Sequence, residues 1–397
     1  GAAAMGASAS RVVMSELMVN AAALRESGHH FHSIPAWLKP YDVPVSLYQQ
    51  YFPTQPLLEG TSLSTIAAEG IFPTVMSLYL SVVVAIVLGV LRVLLTRFVF
   101  RELALWSMGI SEPPMVTRKA SLEAFFGKTR WRDLDDEAAS RATRVDRAAC
   151  RTYFHARKRE LAVDRRVTKY VEALWRFIFY SCLVVHGYYT VRDAPWWRDT
   201  NAFWSSWPFA FMSERLFWYY NAGLGVYIHQ LTFTEVHRSD ALEMIIHHFT
   251  TILLIALSYL SGFTDVGAAI MLLHDVSDCF LEIAKVFNYC VKARPWCKYV
   301  CDSVFAVFAI TFFVTRLYLY PRYILYSVIA QSPRHLGEHA SFYVFAGLLS
   351  ILQVLHVFWF ALILRMVHKL LTGDLKGDVR SDDEDDEPER SPKPKAE

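Results

Sequence analysis

The stretch EMIIHHFTTILLIALSYL, Glu243 to Leu260, sets two adjacent histidines inside a run that is otherwise soluble in lipid. A helix crosses a bilayer core with about 20 apolar residues, and this run has that length. In hydrocarbon every backbone polar group must be satisfied within the segment, so the run is expected to be helical. An ionisable side chain at the middle of such a helix costs about 2.5 to 3.5 kcal/mol on insertion scales. His247 and His248 therefore need partners, and the neighbouring sequence supplies candidates.

After the short connection SGFTD comes a second run, Val266 to Phe287, that contains LHDVSDCFLEIAK. At 100° per residue His274, Asp275, Asp278, Glu282 and Lys285 fall within one arc of about 100°. On the first run Asp240, Glu243, His247, Thr251 and Ser258 line up likewise, and His248 sits about a quarter turn round. A connection this short makes the two helices antiparallel neighbours, so imidazoles and carboxylates are expected to meet. A carboxylate that accepts from one ring nitrogen fixes the tautomer and leaves the other nitrogen free for proton transfer or attack. A mutual His–Asp pairing that only pins two helices, a metal site and a proton path for transport draw on the same residue types. Against metal, position 244 is Met and no second histidine box of the HxxHH kind follows. Against transport, the chain has no inverted repeat or Gly/Pro-broken helix pair. Acid/base or nucleophilic catalysis on a lipid substrate uses all of these groups.

The rest of the chain agrees with a membrane setting. Of 397 residues 54% are hydrophobic and 15% aromatic, more than an ordinary soluble protein carries. Runs of spanning length occur near Phe72–Leu95, Tyr170–Val191, Phe211–Phe233, Ala241–Leu260, Val266–Phe287, Tyr299–Tyr320 and Phe342–His368, about seven in all. The net charge is only +2, but it is uneven, with a basic stretch from Arg97 to Lys169 and an acidic SDDEDDEPE near the end. This asymmetry sets topology and gives no reason to expect a nucleic-acid partner. The basic stretch, the loop YCVKARPWCK and the end RMVHK all fall on one side when the spans alternate, so that side is cytosolic and RDAPWWRDTNAFWSSWP lies opposite. The tryptophans of that loop suit either a headgroup-level belt or packing together. The segment 97–168 mixes charges at helical spacing, as an amphipathic helix near anionic headgroups or a solvated helix does. Ser381, followed at once by acidic residues, is a candidate phosphorylation site in a tail of disordered composition.

The six cysteines, Cys150, Cys182, Cys279, Cys290, Cys297 and Cys301, show no paired framework and are expected as reduced thiols. The first 28 residues lack a basic region followed by a compact apolar core, so no signal peptide is expected there.

The stretch RSDALEMIIHHFTTILLIALSYLSGFTDVGAAIMLLHDVSDCFLEIAKVFNY, Arg238 to Tyr289, closely resembles the signature of the ceramide synthases, the acyltransferase branch of the TLC-domain membrane proteins. It holds the HH pair, LSY, LHDVSD, LE and K..NY in the family's order, and KYVEALWRFIFY and YYNAGLGVYIHQL resemble the earlier family helices, so the likeness runs from Lys169 to His368. The tail GDVRSDDEDDE is similar to that of plant and protist members. Asp265 and Ala241 depart from the residues usual at those places, and no homeodomain-like basic pattern follows Trp131.

The resemblance implies an all-α polytopic fold whose later six helices form a bundle around a lipid-accessible cavity. It implies an endoplasmic reticulum enzyme that transfers a fatty acyl group from acyl-CoA to the amine of a sphingoid base. The functional residues carry over onto His247, His248, Asp275 and Asp278, with His274 preceding them. No metal and no cofactor beyond acyl-CoA as co-substrate is implied, and a homodimer is expected. Basic residues at the cytosolic helix ends, Arg238, Lys285, Lys292, Arg294 and Lys298, are the candidates for the polyanionic CoA head group. In the family the loop between the last two helices, here near Pro321 to Ser341, influences acyl length. The expected organisation is a lumenal segment 1–71, a first span 72–96, a cytosolic linker 97–168, a catalytic unit 169–368 and an acidic cytosolic tail 369–397. A TLC protein that only binds lipid, or acts in protein translocation, is the alternative.

Overall fold

The computed structural model describes residues 75–111, 118–128, 135–205, 212–231, 240–336 and 340–372. The N-terminal segment expected to be lumenal, Trp131, Arg238 and the tail with Ser381 lie outside the described residues. Among those described the chain is all helix, with no strand. We number the helices α1 (Tyr79–Ser107), α2 (Ala120–Lys128), α3 (Asp136–Thr143), α4 (Arg147–Val191), α5 (Ala202–Ser205), α6 (Glu214–Leu231), α7 (Ala241–Leu260), α8 (Thr264–Cys290), α9 (Cys297–Leu336) and α10 (Ala340–Thr372).

Among the described residues, four helices are long and apolar enough to cross a membrane: α1, α7, α9 and α10. The other long helices, α4, α6 and α8, fall short, and on α6 and α8 the buried face itself carries polar groups. Asn221 and His229 on α6 and His274, Asp275, Ser277 and Glu282 on α8 are all buried. A polar group that faces its neighbours inside a bundle does not face lipid, which is how a membrane helix tolerates it.

Six helices close into a ring in the order α4, α6, α7, α10, α9, α8 and back to α4. α7 and α8 are consecutive and antiparallel, yet they meet across the ring, and each has a different flanking partner. α1 stands outside and packs on α6. The contact is close because α6 carries Gly225: a Cβ there would lie 2.6 Å from Val84 Cγ1 and 2.8 Å from the Ser81 carbonyl oxygen. Ser81 Oγ donates to Asn221 Oδ1 at 2.9 Å beside it. The outer face of α1 is apolar, with Ile86 and Val93 each 62% exposed, the surface that a lipid-facing helix presents.

The described helices of the linker pack on one another. Asp146 caps α4 by accepting from the amides of Ala148 and Ala149, so the helix starts some twenty residues before the apolar part of the span. Its first turns pack with α2 and α3 around Leu122, Ala139, Cys150, Tyr153 and Phe154, so the linker's apolar side chains cover one another. Glu123 joins this cap by accepting from Tyr153 Oη at 2.6 Å and from Arg157 Nε at 2.7 Å.

Of the two readings of the tryptophan loop, packing holds for two of its side chains, and one expectation about a later loop changes. Trp196 and Trp204 are buried, Trp204 donating to Ser327 Oγ at 2.7 Å, so these tryptophans pack, whereas Trp197 is exposed. The span expected to end near Tyr320 runs on as α9 to Leu336, and much of the expected last loop is helix. From Phe313 to Leu325 and again from Ser327 to Gln331 the turns widen to the π form, with Pro321 inside. Proline has no amide hydrogen to give, so the helix passes through it in a rearranged ladder. All six cysteines are free.

Candidate active site

α7 places His247 and, one turn further, Thr251 on the face that looks into the ring, with His248 beside them; all three are buried. α8 presents His274, Asp275 and Asp278 to the same space. The ring centroids of His247 and His248 lie 5.5 Å apart, and those of His247 and His274 6.3 Å. Trp359 from α10 meets His247 edge-on at 5.2 Å. The expected meeting of the HH pair with the next helix therefore occurs.

The partners within the cluster differ from those expected. His274 Nδ1 lies 2.7 Å from the carbonyl oxygen of Ile270, which can only accept, so this nitrogen carries the hydrogen. In the neutral ring Nε2 is then an acceptor, and His356 Nε2, 2.9 Å away, must donate to it. That leaves His356 Nδ1 unprotonated and without a hydrogen-bond partner among the described residues. Asp275 Oδ1 accepts from Tyr227 Oη at 3.0 Å. Asp278 Oδ1 accepts from Arg316 Nη2 at 2.7 Å, and the same nitrogen donates to the His274 carbonyl at 3.0 Å. Neither carboxylate bonds to His247, whose Nδ1 has no partner among the described residues. Instead of gripping that imidazole, the carboxylates hold Tyr227 and Arg316 around it.

Two cavities lie on either side of this layer. One opens toward the basic end of the ring, with a volume of about 130 Å³ and His247, His248, Asp278, Arg92, Arg176 and Arg316 in its wall. Its charges are partly balanced: Arg92 pairs with Glu172 at 3.2 Å, and Glu282 pairs with Lys285 at 2.8 Å and Arg176 at 3.1 Å. The other cavity is a narrow chamber of about 40 Å³ toward the opposite end, lined by Leu254, Ile255, Phe263, Val328, Phe345 and other apolar side chains. Thr251, His274 and Tyr227 form its boundary with the histidine layer.

His247, His248, His274, Asp275 and Asp278 are thus together, and Lys285 stands in the wall of the polar cavity. Lys292 and Lys298 are exposed at the basic end, where Lys298 pairs with Asp302 at 3.1 Å. Arg294 lies over the ring of Trp106 at 4.0 Å and fastens α1 to the end of α8. Arg238 lies outside the described residues. Sequence reasoning missed His356, Arg316, Arg92 and Arg176. Each was visible as an ionisable residue in or at the end of an apolar run, the signal that drew attention to α7 and α8. Among the described residues no group of three His, Cys, Asp or Glu side chains is arranged to hold a metal ion.

The fold and this cluster define a membrane protein of the TLC kind, and the TLC domain model matches residues 169–365. Ceramide synthase 4 of Mus musculus is 34% identical over 295 residues, which cover 72% of this chain and 73% of the relative. Ceramide synthase 5 of Homo sapiens is 36% identical over 288 residues, 70% of this chain and 71% of the relative. Alternaria stem canker resistance protein 1 of Solanum lycopersicum is 34% identical over 219 residues, 51% of this chain and 69% of the relative. The chain belongs to the ceramide synthase family of TLC-domain proteins.

Proposed function

We propose that this chain makes ceramide or dihydroceramide by moving a fatty acyl group from acyl-CoA to the amine of a sphingoid base, with His247 and His248 at the reacting centre. One observation carries the assignment to these residues: the histidine layer stands between a polar cavity, walled by His247 and His248, and an apolar chamber, walled by His274. An acyl thioester has the same division, a polar pantetheine arm on one side of the reacting carbon and hydrocarbon on the other. Bound across the layer, its carbonyl carbon lies beside the imidazoles.

The chemistry follows from the imidazoles. In one route the unprotonated nitrogen of neutral His247 or His248 attacks the thioester carbonyl, the C–S bond breaks, and the CoA thiolate takes the proton that the acylated ring gives up from its other nitrogen. The neutral amine of the base then attacks the acyl-imidazole, the amide bond forms, the C–N bond to the ring breaks and the amine proton passes by way of the second histidine back to the ring. In the other route the same histidine removes the amine proton as the amine attacks the thioester directly, the C–S bond breaks and the proton is handed on to the departing CoA thiolate. General acid/base assistance of this kind contributes about 10² to 10⁴ in rate. Asp278 holds Arg316 in the wall of the polar cavity, where its charge opposes the thiolate, and Asp275 holds Tyr227 beside His248. The reaction takes acyl-CoA as co-substrate and needs no other cofactor.

Lys292, Arg294 and Lys298, with Arg238, put positive charge at the end through which the CoA phosphates arrive. The same charges favour a cytosolic position for this end and for the C-terminus. We assign the protein to the endoplasmic reticulum membrane, as a homodimer. The test is to supply the purified full chain with sphinganine and acyl-CoAs of graded length and follow ceramide and free CoA. Both products in equal amounts are expected; no product from any acyl-CoA overturns the proposal in favour of a TLC protein that binds lipid without acting on it.

A further inference from the structure

Thr251 is the residue on the catalytic face of α7 whose chemistry the reaction has not used. A serine or threonine inside a helix ordinarily donates to the carbonyl one turn back. Thr190, Thr315 and Ser261 do so, at 2.8, 2.8 and 2.7 Å. Thr251 does not: its Oγ1 is buried and has no hydrogen-bond partner among the described residues. The residue is 9% exposed, lines the apolar chamber and sits one helical turn, about 5.4 Å, beyond His247 on the same face.

A buried hydroxyl left unpaired in an apolar wall is unfavourable, and a hydrocarbon tail cannot relieve it. A ligand that relieves it must bring a polar atom to the layer end of the chamber, beside the acyl chain. The acyl donor has none to offer, since beyond its reacting carbon it is hydrocarbon. The acceptor does: a long-chain amino alcohol carries hydroxyls on the carbons either side of the one that bears its amine. With the amine at His247 or His248, such a hydroxyl falls one turn along α7, at Thr251.

We infer that Thr251 is a recognition residue for the acceptor: its hydroxyl hydrogen-bonds a hydroxyl vicinal to the reacting amine and so turns the nitrogen toward the histidines. This rests on the acyl transfer proposed above and adds the group by which the base is told from a simple long-chain amine. It predicts that the chamber wall around Thr251 selects 2-amino alcohols rather than alkylamines.

The experiment measures N-acylation by the wild-type full chain, Thr251→Val and Thr251→Ser with sphinganine, its 1-deoxy analogue and its 3-deoxy analogue. Thr251→Val keeps the shape and removes the hydroxyl, and is expected to lower kcat/KM for sphinganine by about 5- to 10-fold, the scale of one hydrogen bond in a buried site. The loss should lie in KM for the base and leave KM for acyl-CoA alone. Thr251→Ser should restore the wild-type value to within about 2-fold, since it restores the donor. With whichever deoxy analogue lacks the contacted hydroxyl, wild type and Thr251→Val should be equally poor. An equal loss with all three bases, or a loss in kcat alone, makes Thr251 a structural or oxyanion-binding group and overturns the assignment; so does no loss with sphinganine. Wild-type protein that acylates none of the three overturns the underlying acyl transfer, and that result appears before any variant is compared.

Discussion

His356 and Arg316 show how single ionisable residues become stable inside a membrane bundle. His356 is 0% exposed and Arg316 4%, and each is held by a partner on α8. The HH pair and the HDxxD group were legible in the sequence because they lie on consecutive helices and because the ionisable residues of α8 repeat on one face. His356 was not, because its partner is 82 residues away and it stands alone in LQVLHVFWF. Replacing His356 by Phe leaves His274 Nε2 buried without its donor; we expect ceramide formation to fall at least about 10-fold, with His356→Gln, which can still donate, retaining more. Side-by-side turnover and thermal stability in detergent decide whether the loss is chemical or general. Arg316→Met strips the partly buried Asp278 carboxylate of its counter-charge, a smaller loss than the cost of about 3–5 kcal/mol for one partner of a fully buried pair. The expected drop in Tm should be largely recovered in the double variant Arg316→Met with Asp278→Asn, whereas activity should stay low.

At the scale of elements, the sequence placed the helices but not all of their ends. α4 begins at Arg147 and not at Tyr170, because Asp146 supplies a cap and charged turns continue a helix as well as apolar ones do. α9 continues through Pro321, which the sequence marks as a break, because wide turns accommodate it. Where α1 meets α6 the fit depends on Gly225, and a Cβ there would press on the Ser81 backbone as well as on Val84. Gly225→Val is therefore expected to loosen α1 from the ring, read as a lost cross-link between cysteines introduced on α1 and α6, with α7 and α8 unaffected. The linker cap has its own signature in acid. Hydrogen bonds from Arg157, and then from Tyr153, hold the Glu123 carboxyl below its ordinary value of 4.5. A depressed carboxylate pKa stabilises the folded form above the unfolded value, and the effect is lost as pH falls through the folded one. Amide exchange in α2 should therefore quicken below pH 4.5 while that of α7 holds steady; parallel change in both would mean that the cap does not open on its own.

Across the whole molecule, six helices make a ring, and the ring holds two cavities of opposite character with one layer of histidines between them. Composition and hydropathy made the all-α membrane class plain, and the charge pattern gave an orientation to test. The closed order of the ring was not legible, since α7 and α8 are neighbours in sequence but meet across it. The division between polar and apolar cavities was not legible either, because it is built by Arg92, Arg176, Arg316 and Trp359 from four helices at once. The central claim is that His247 and His248, at that division, carry the acyl transfer. The most direct test is the rate of ceramide formation from sphinganine and a long-chain acyl-CoA by purified His247→Ala and His248→Ala proteins that keep the wild-type Tm. The account predicts a fall of at least about 10²-fold for the residue that serves as base or nucleophile and a substantial fall for the other; wild-type rates in both variants would contradict it.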